Sequence, residues 1–541
     1  MAKIEDCAFL SYIANPYAPG DIYFCALSAV GREPKEISLC DMMSFPHRIV
    51  TYDLTLLTAI LKDHDLPLPA NIIDIEQAGR LIIGHSHNEY TGQLPWTIWE
   101  LLEDYFHDKT QLTHIRNWYY RSEPLPDKSI IMASLFEINR ILPGLWNKQL
   151  LDLELKGELH RFINIEIPIN AILLERQYKG IKIDTDKLND RLDVLDNVIA
   201  QSTHVLRTKW GIIDPIDTEA ISRSAAYSGY VHLSSVVEES DNDETIEVSA
   251  NWEEIVQVYD KLKKAKRDKN ILLRFGVIGE TRIYPIFEGI GTVTGRVLVK
   301  NPAIQQLKKS SRDIIIADDK YTLLYPDFRQ FEPGILADDS GDQSLTAIYN
   351  SGDVYNALSL ALFNDEKYRK EAKLIFLAFS YGMTKERLPV LINDLTSEKL
   401  NNSQLLVEKF FGQFSAIEKW KEALCCELSA TGRIGTRDGN YRYRKNMLRN
   451  ELADVEKRWV ISQRIQGTAS LIFKRCMLRI NQELPDVQFL VPMHDAILYQ
   501  IPSEALEITK EKIECIFIDE YRQECRSIMP RVSFEPFWVD D

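Results

Sequence analysis

Apolar residues fall in short runs separated by turns over the first 155 positions: CAFLSYI, DIYFCALSAV, IVTYDLTLLTAILKDH and NIIDIEQAGRLIIG. Runs of this length predict an α/β unit, strands first and helices after. Within it DLTLLTAIL has helical spacing, with Leu54, Leu57 and Ile60 on one face. From residue 156 the period lengthens. GELHRFINIEIPINAILLERQYKG reads as a long amphipathic helix closed by Gly180, and KLNDRLDVLDNVIAQSTHVLRTKW as another. The acidic VVEESDNDETIEVSA predicts an exposed loop, and NWEEIVQVYDKLKKAKRDKNILLRF a further helix, so that two long helices form an extended arm. Strands and turns return from Arg282, and the apolar run Thr322–Tyr325 ends just before Asp327. Asp353 to Ala430 is mostly helical, and the tail runs strand (AILYQI), helix, strand (VSFEPFWV). No internal repeat or low-complexity stretch interrupts this order.

The length, 541 residues, exceeds what one core supports, and three or four structural units are expected. Eight scattered cysteines include no CxxC pair, which gives no sign of a zinc site or disulfide framework and suits a reducing, intracellular setting. No charged segment followed by a long apolar core opens the chain, and no run is long enough to span a membrane. The net charge of −16 by itself argues against nucleic-acid binding, although net charge is a sum and a groove is local. Basic clusters nevertheless occur: Lys261, Lys263, Lys264, Lys266, Arg267 and Lys269; Lys300, Lys308, Lys309 and Arg312; and Arg433, Arg437, Arg442, Arg444 and Lys445. Each could be a solvated face or a phosphate track.

Three stretches carry candidate chemistry. In YTLLYPDFRQFEPGILADDSG, Asp327 ends an apolar run. A carboxylate there is costly unless a cation meets it, a divalent metal being the usual answer; a helix cap is the other reading, and this stretch alone leaves both open. In YRKEAKLIFLAFSYG, Arg369, Lys373, Leu377 and Tyr381 recur every four residues and share one helix face. Two cations, an apolar residue and an aromatic on one stripe suit a triphosphate at one end and a flat base at the other; an amphipathic helix whose stripe is incidental is the other reading. In QFLVPMHDAILYQIP, apolar residues flank His494-Asp495, which predicts two strands joined by a tight turn with the carboxylate at its tip. Together Asp327 and Asp495 could hold two divalent ions that stabilise an in-line displacement.

These stretches resemble motifs A, B and C of family A DNA polymerases, the group of bacterial DNA polymerase I and many phage replicases. DFRQFE (Asp327 to Glu332) is similar to motif A, the Arg369 to Gly382 stretch to motif B, and MHDA (Met493 to Ala496) to motif C. TVTGR (292–296), NPAIQQ (301–306), SGDVY (351–355), GRIGTRDG (432–439) and RIQGTA (464–469) stand in the family's order, so the resemblance covers about residue 156 to the end. It implies an α+β multidomain fold: a right-hand polymerase of palm, fingers and thumb, preceded by a degenerate RNase H-like 3′–5′ exonuclease-type α/β domain. The implied boundaries are 1–155 for the exonuclease-like domain, 156–280 for the thumb, 281–345 and 456–541 for the palm, and 346–455 for the fingers. The compact length and loosely kept motifs suggest a phage or plasmid replicon, hence a cytoplasmic (host) location.

The resemblance also implies roles. Asp327 and Asp495 would bind two Mg²⁺ ions, with the Phe328 carbonyl as an extra ligand. Arg369 and Lys373 would hold the β- and γ-phosphates of a dNTP, Leu377, Tyr381 and Gln330 would line the nucleotide site, and Glu332 would close off the sugar 2′ position. Arg296, Thr294, Gln305, Arg458, Gln466 and His494 would contact the primer–template, and Lys264, Lys266 and Arg267 would track the duplex backbone. Primer–template DNA and dNTPs are thus the expected partners, with a helicase, primase or processivity factor beside them. A single-subunit RNA polymerase and an inactive DNA-binding scaffold are the alternatives.

The chain also departs from the family pattern. Ala496 stands where motif C usually carries an acid, Leu377 where motif B has Phe or Tyr, and Tyr355 where His is usual, while Pro333-Gly334 alters the start of the helix after motif A. The proofreading site needs D-x-E on the first strand, yet Cys7 to Tyr12 has no carboxylate. Asp53 matches the second exonuclease motif, Asp74 a structural position, and Y-x-x-x-D is not recognisable over Ile130 to Asn139. An exonuclease-like fold without that activity is expected.

Overall fold

A computed structural model describes residues 7–14, 23–29, 31–43, 48–69, 71–83, 95–120, 122–212, 244–276, 280–395, 403–444 and 451–539. Lys445 and residues 236–243 of the expected acidic loop lie outside them. The chain divides into two compact units. The first comprises Met1–Lys179, Ile286–Val299 and Lys320–Glu535, and the second Gly180–Pro285, Lys300–Asp319 and Pro536–Asp541.

The N-terminal runs form the expected α/β layer. Strands β1 (Cys7–Ala14), β2 (Tyr23–Ala29), β3 (Lys35–Ile37), β4 (Arg48–Thr51) and β5 (Ile72–Asp74) order as β3-β2-β1-β4-β5. β1 runs antiparallel to β2 and parallel to β4, which runs parallel to β5. The Leu54–Asp63 helix buries Leu54, Leu57 and Ile60, the stripe that its spacing predicts. The Lys128–Lys156 helix turns Ile131, Leu135, Ile138, Leu142 and Trp146 inward at intervals of three and four. Asn139, on that stripe, is fully buried and donates to the carbonyls of Phe9 (2.7 Å) and Ala26 (2.9 Å), which fastens the helix to the sheet. The helix stops at Gly157, in the left-handed conformation. The amphipathic stretch up to Lys179 contains a π-helical turn, Phe162–Glu166, before Ile167–Lys179 resumes α geometry.

In the second unit, β6 (Ile181–Lys182) pairs with β7 (Arg282–Ile283). The Thr185–Trp210 and Glu244–Leu272 helices pack along each other around Leu206, Trp210, Ile255 and Leu262. The latter helix begins at Glu244, so positions 244–250 are helical where a loop was expected. Leu262, Ala265 and Asp268 face inward, which leaves Lys261, Lys263, Lys264 and Arg267 exposed and Lys266 half-buried. Asp268 is not an orphan, since Arg267 and Lys308 both pair with it.

The rest of the first unit carries β8 (Ile286–Glu288) and β9 (Leu298–Lys300), which pair, then β10 (Tyr321–Leu324) and β11 (Asp327–Phe328). A helical block follows: Val354–Phe363, Arg369–Ser380, Leu388–Leu395, Ser403–Phe411 and Ser415–Thr431. Its core is aromatic, with Phe379 4.4 Å from Phe411 and Phe410 5.3 Å from Phe414, ring centre to ring centre. The β12 (Arg433–Thr436) and β13 (Gly439–Tyr443) hairpin leads into the long Asp454–Glu483 helix. Last come β14 (Gln488–Met493), β15 (Ala496–Pro502), the Leu506–Glu524 helix and β16 (Val532–Ser533). These complete an antiparallel sheet ordered β10-β15-β11-β16, with β14 beside β15.

Candidate active site

Sheet register brings the two aspartates together. Asp327 pairs with Ala496 on one side and with Ser533 on the other, so Asp495 lies one residue from Asp327's cross-strand partner. The Phe328 N–H donates to the Asp495 carbonyl at 3.2 Å. β14 and β15 form the expected hairpin, and His494 takes its tight turn at φ +52°. Beneath this strand end, Phe328 stacks on Phe331 (4.2 Å, 13° between planes) and meets Phe517 and Tyr521. Gly334 is required there. A Cβ on it would lie 2.3 Å from the Tyr521 hydroxyl and 2.8 Å from Tyr349 Cζ. The Pro333-Gly334 departure is therefore packing, since the following helix begins at Phe331 and incorporates both residues.

Asp327 does not cap that helix. The N-cap is Gln330, in the left-handed region at φ +52°, and its side-chain oxygen accepts from the Val354 N–H at 3.0 Å. Gln330, expected at the nucleotide, thus also ties motif A to the next helix. Asp353 caps the Val354–Phe363 helix through Oδ1, which accepts from the Tyr355 and Asn356 N–H groups. Its Oδ2 accepts from Arg369 Nε (3.0 Å) and Nη2 (2.7 Å).

The every-fourth-residue stripe faces a cavity of about 840 Å³, lined by Asp327, Asp495 and Glu332 with Arg369, Lys373 and Leu377. Tyr355 lines it too, with its ring 5.4 Å from the Arg369 guanidinium and 5.9 Å from the Lys373 ammonium. Burial, then the negative charges of Glu332, Asp495 and Asp353, raise the Tyr355 phenol above its ordinary value. Tyr381 ends the helix beyond the cavity. Its hydroxyl donates to Glu332 Oε2 at 2.5 Å and accepts from Gln466 Nε2 at 3.2 Å. Arg296 Nη2 grips the other oxygen of Glu332 at 2.6 Å and lies 3.9 Å from Asp495 Oδ1. Glu332 is thereby locked from two sides, with its side chain 16% exposed. Burial first, and then the Glu332 charge, push the Asp495 carboxyl up to about 6, against the pull of Arg296.

Hard oxygen donors on strand β11 and in the adjoining hairpin turn fit a magnesium site. Among the described residues no group of three or more His, Cys, Asp or Glu could hold a metal. Two protein carboxylates still suit magnesium, which keeps several waters and takes ligands from phosphates.

The other expected contacts fall in several places. His494 lines the cavity and is exposed, and Arg458 is exposed on the Asp454–Glu483 helix. Thr294, expected on DNA, is instead buried; its hydroxyl shares a hydrogen bond with Thr292, and its carbonyl accepts from Asn440 Nδ2. Gln305, Lys264, Lys266 and Arg267 belong to the second unit. Sequence reasoning passed over Asp353, Ser533 and Glu535, all of which line the cavity. Asp353 has a readable signal as an acid just before a helical run. Ser533 and Glu535 have none, because only the pairing of β16 with β11 brings them there.

At the N-terminal sheet, Asp53 caps the Leu54–Asp63 helix at φ +42°, with Oδ1 accepting from the Leu56 N–H. Its Oδ2 accepts from the Tyr119 hydroxyl at 2.8 Å, and its carbonyl from the Tyr12 hydroxyl at 2.7 Å. Asp74 accepts from the Glu76 N–H, and Glu76 from the Ile98 N–H. Tyr12 stacks on Tyr52 (5.2 Å, 10°), and Trp99 meets Tyr119 edge-on at 5.0 Å. Burial raises all three carboxyls, Asp74 to about 7. Tyr119, from the helix before Ile130–Asn139, thus reaches Asp53 although no motif marks it.

Comparison with known proteins agrees with this architecture. The model of DNA polymerase family A matches residues 220–528, and the chain belongs to that family. Thermostable DNA polymerase I of Thermus aquaticus is 24% identical over 417 residues, which is 70% of this chain and 48% of that protein. DNA polymerase I of Aquifex aeolicus is 23% identical over 374 residues, 65% of this chain and 62% of that protein. The chain thus spans about half the length of such curated relatives. The POL domain of Pol1 from M. smegmatis, solved in complex with DNA primer-template and dNTP, shares the fold: TM-score 0.75 at 16% identity, over 97% of this chain and 94% of that one.

Proposed function

We propose that this chain is a template-directed DNA polymerase that joins dNTPs to a primer 3′-hydroxyl with two magnesium ions and without 3′–5′ proofreading. The observation that carries the reading is one cavity with Asp327 and Asp495 on its floor, Arg369 and Lys373 on its wall, and a doubly held Glu332 between them and Tyr381. On this reading the antiparallel sheet is the palm, the helical block the fingers, the paired long helices the thumb, and the N-terminal layer an inactive exonuclease-like domain.

Arg369 and Lys373 bind the β- and γ-phosphates, and Arg369 exchanges its contact with Asp353 for them. They offset the charge that collects on the departing pyrophosphate as the primer oxygen bonds to the α-phosphorus and the α–β bridging oxygen leaves. Asp327 and Asp495, with the Phe328 carbonyl, would hold the magnesium ions, which when bound lower the hydroxyl pKa and polarise the phosphate. Glu332 cannot swing aside without breaking its bonds to Arg296 and Tyr381, so it excludes a 2′-hydroxyl. The lack of proofreading is supported by Tyr119 and backbone amides already occupying Asp53, and by a first strand that presents Tyr12 rather than a carboxylate.

Primer extension with Mg²⁺ tests the reading. Wild type extends with dNTPs, and Asp327→Asn and Asp495→Asn each lose on the order of a thousandfold or more while still binding primer–template. Preferential use of rNTPs, or no extension by wild type, overturns it.

A further inference from the structure

Arg296 points into the cavity from a turn that is pinned from below by a buried ionic cluster. Lys474 Nζ bonds both oxygens of Glu166, at 2.8 and 2.7 Å. Arg161 Nε donates to Glu166 at 2.8 Å, and its Nη1 lies 3.3 Å from Glu158. All four side chains are 0–1% exposed. Such clusters are poor sources of net stability, because desolvation offsets most of the Coulomb gain. What the cluster does is hold Asn440. Arg161 Nη1 donates to Asn440 Oδ1 at 3.1 Å, Glu158 accepts from the Asn440 and Tyr441 N–H groups, and Gln463 donates to the Asn440 carbonyl.

The remaining polar group of Asn440 completes the link. Its Nδ2 donates to the Thr294 carbonyl at 2.7 Å, while Ser470 Oγ donates to the Gly295 carbonyl, also at 2.7 Å. Gly295 sits at φ +80°, and a Cβ there would lie 2.9 Å from Arg161 Nη2. Two carbonyls of the Thr292–Arg296 turn are therefore fixed, and the turn closes on itself through Gly295 N–H to the Thr292 carbonyl and Arg296 N–H to Thr292 Oγ1. The Asn440 carboxamide accepts from Arg161 through Oδ1 and donates to the Thr294 carbonyl through Nδ2, a division that an ionised carboxylate, with acceptors alone, cannot reproduce. The left-handed φ of +58° at Asn440 is also one that Asn tolerates.

We infer that Asn440 is a positioning residue for Arg296: it couples the buried Arg161–Glu158–Glu166–Lys474 cluster to the turn that aims Arg296 at Glu332. The inference deepens the polymerase reading and rests on it for its kinetic consequence alone.

Two measurements test it. In Asn440→Asp, which keeps the oxygen for Arg161 and loses the donor to Thr294, amide hydrogen exchange at Gly295 and Arg296 accelerates about tenfold. In primer extension the same substitution lowers kcat/KM for dNTP about tenfold in wild type, but less than about twofold in an Arg296→Ala background. Asn440→Gly keeps the backbone conformation without the added charge and gives the same pattern; it serves if the aspartate variant does not fold. Unchanged exchange at 295–296, or an equal loss of kcat/KM in both backgrounds, overturns the inference. Absence of extension by wild type would remove the polymerase reading, and the exchange measurement would then decide the positional claim alone.

Discussion

Two places in the first unit gather carboxylates, and their surroundings differ in kind. Around Asp327 and Asp495 stand Arg296, Arg369 and Lys373, and the group opens on a cavity. Around Asp53, Asp74 and Glu76 the partners are a tyrosine hydroxyl and backbone amides, walled by Tyr12, Tyr52, Tyr119 and Trp99. The first set keeps cations and space for a charged ligand. The second spends its acceptor capacity on holding its own fold, and burial raises its carboxyls against the pull of those same hydrogen bonds. Carboxylates mark a reaction site when the neighbouring charges leave them something to do.

That contrast can be broken by experiment. The largest effect belongs to the cationic wall. Arg369→Ala raises KM for dNTP about 10- to 100-fold by removing the proposed phosphate contact, whereas Asp53→Asn changes steady-state extension less than about twofold. An equal loss from both substitutions would erase the distinction. Next comes pH. The raised pKa of Asp74 means that its protonated form is favoured by folding. Its stabilising contribution is whole below its unfolded value near 4 and is lost as pH climbs through about 7. Asp74→Asn, which still accepts from the Glu76 N–H, flattens this dependence. Because the side chain is only partly buried, the gain at pH 8 is roughly 2 kcal/mol, read from denaturant unfolding at pH 5.5 and 8. A variant with the wild-type slope would show that another group titrates there. Smallest is Tyr119→Phe, which removes one hydroxyl donor from Asp53 and costs about 1 kcal/mol in the same unfolding measurement, with no change in primer extension.

The sequence by itself determined the elements and most of the cavity wall. A four-residue recurrence puts Arg369, Lys373 and Leu377 on one helix face wherever that helix lies, because 3.6 residues make a turn. Apolar runs flanking His494-Asp495 make a hairpin for an equally local reason. Tertiary structure alone decided the partnerships. Gln330 as a strut to Val354, Tyr119 on Asp53, Ser533 beside Asp327, and Asn440 between Arg161 and Thr294 join segments tens to hundreds of residues apart. Their polar atoms carry no periodicity to read. It also departed from what the resemblance implied: Thr294, expected at the primer–template, is buried, and its carbonyl accepts from Asn440. Hydrophobic period is a property of neighbours in the chain, whereas a buried hydrogen bond is a property of neighbours in space. The aspartates and cations of the cavity were therefore legible in order, and what aims and restrains them was set only when the sheet closed.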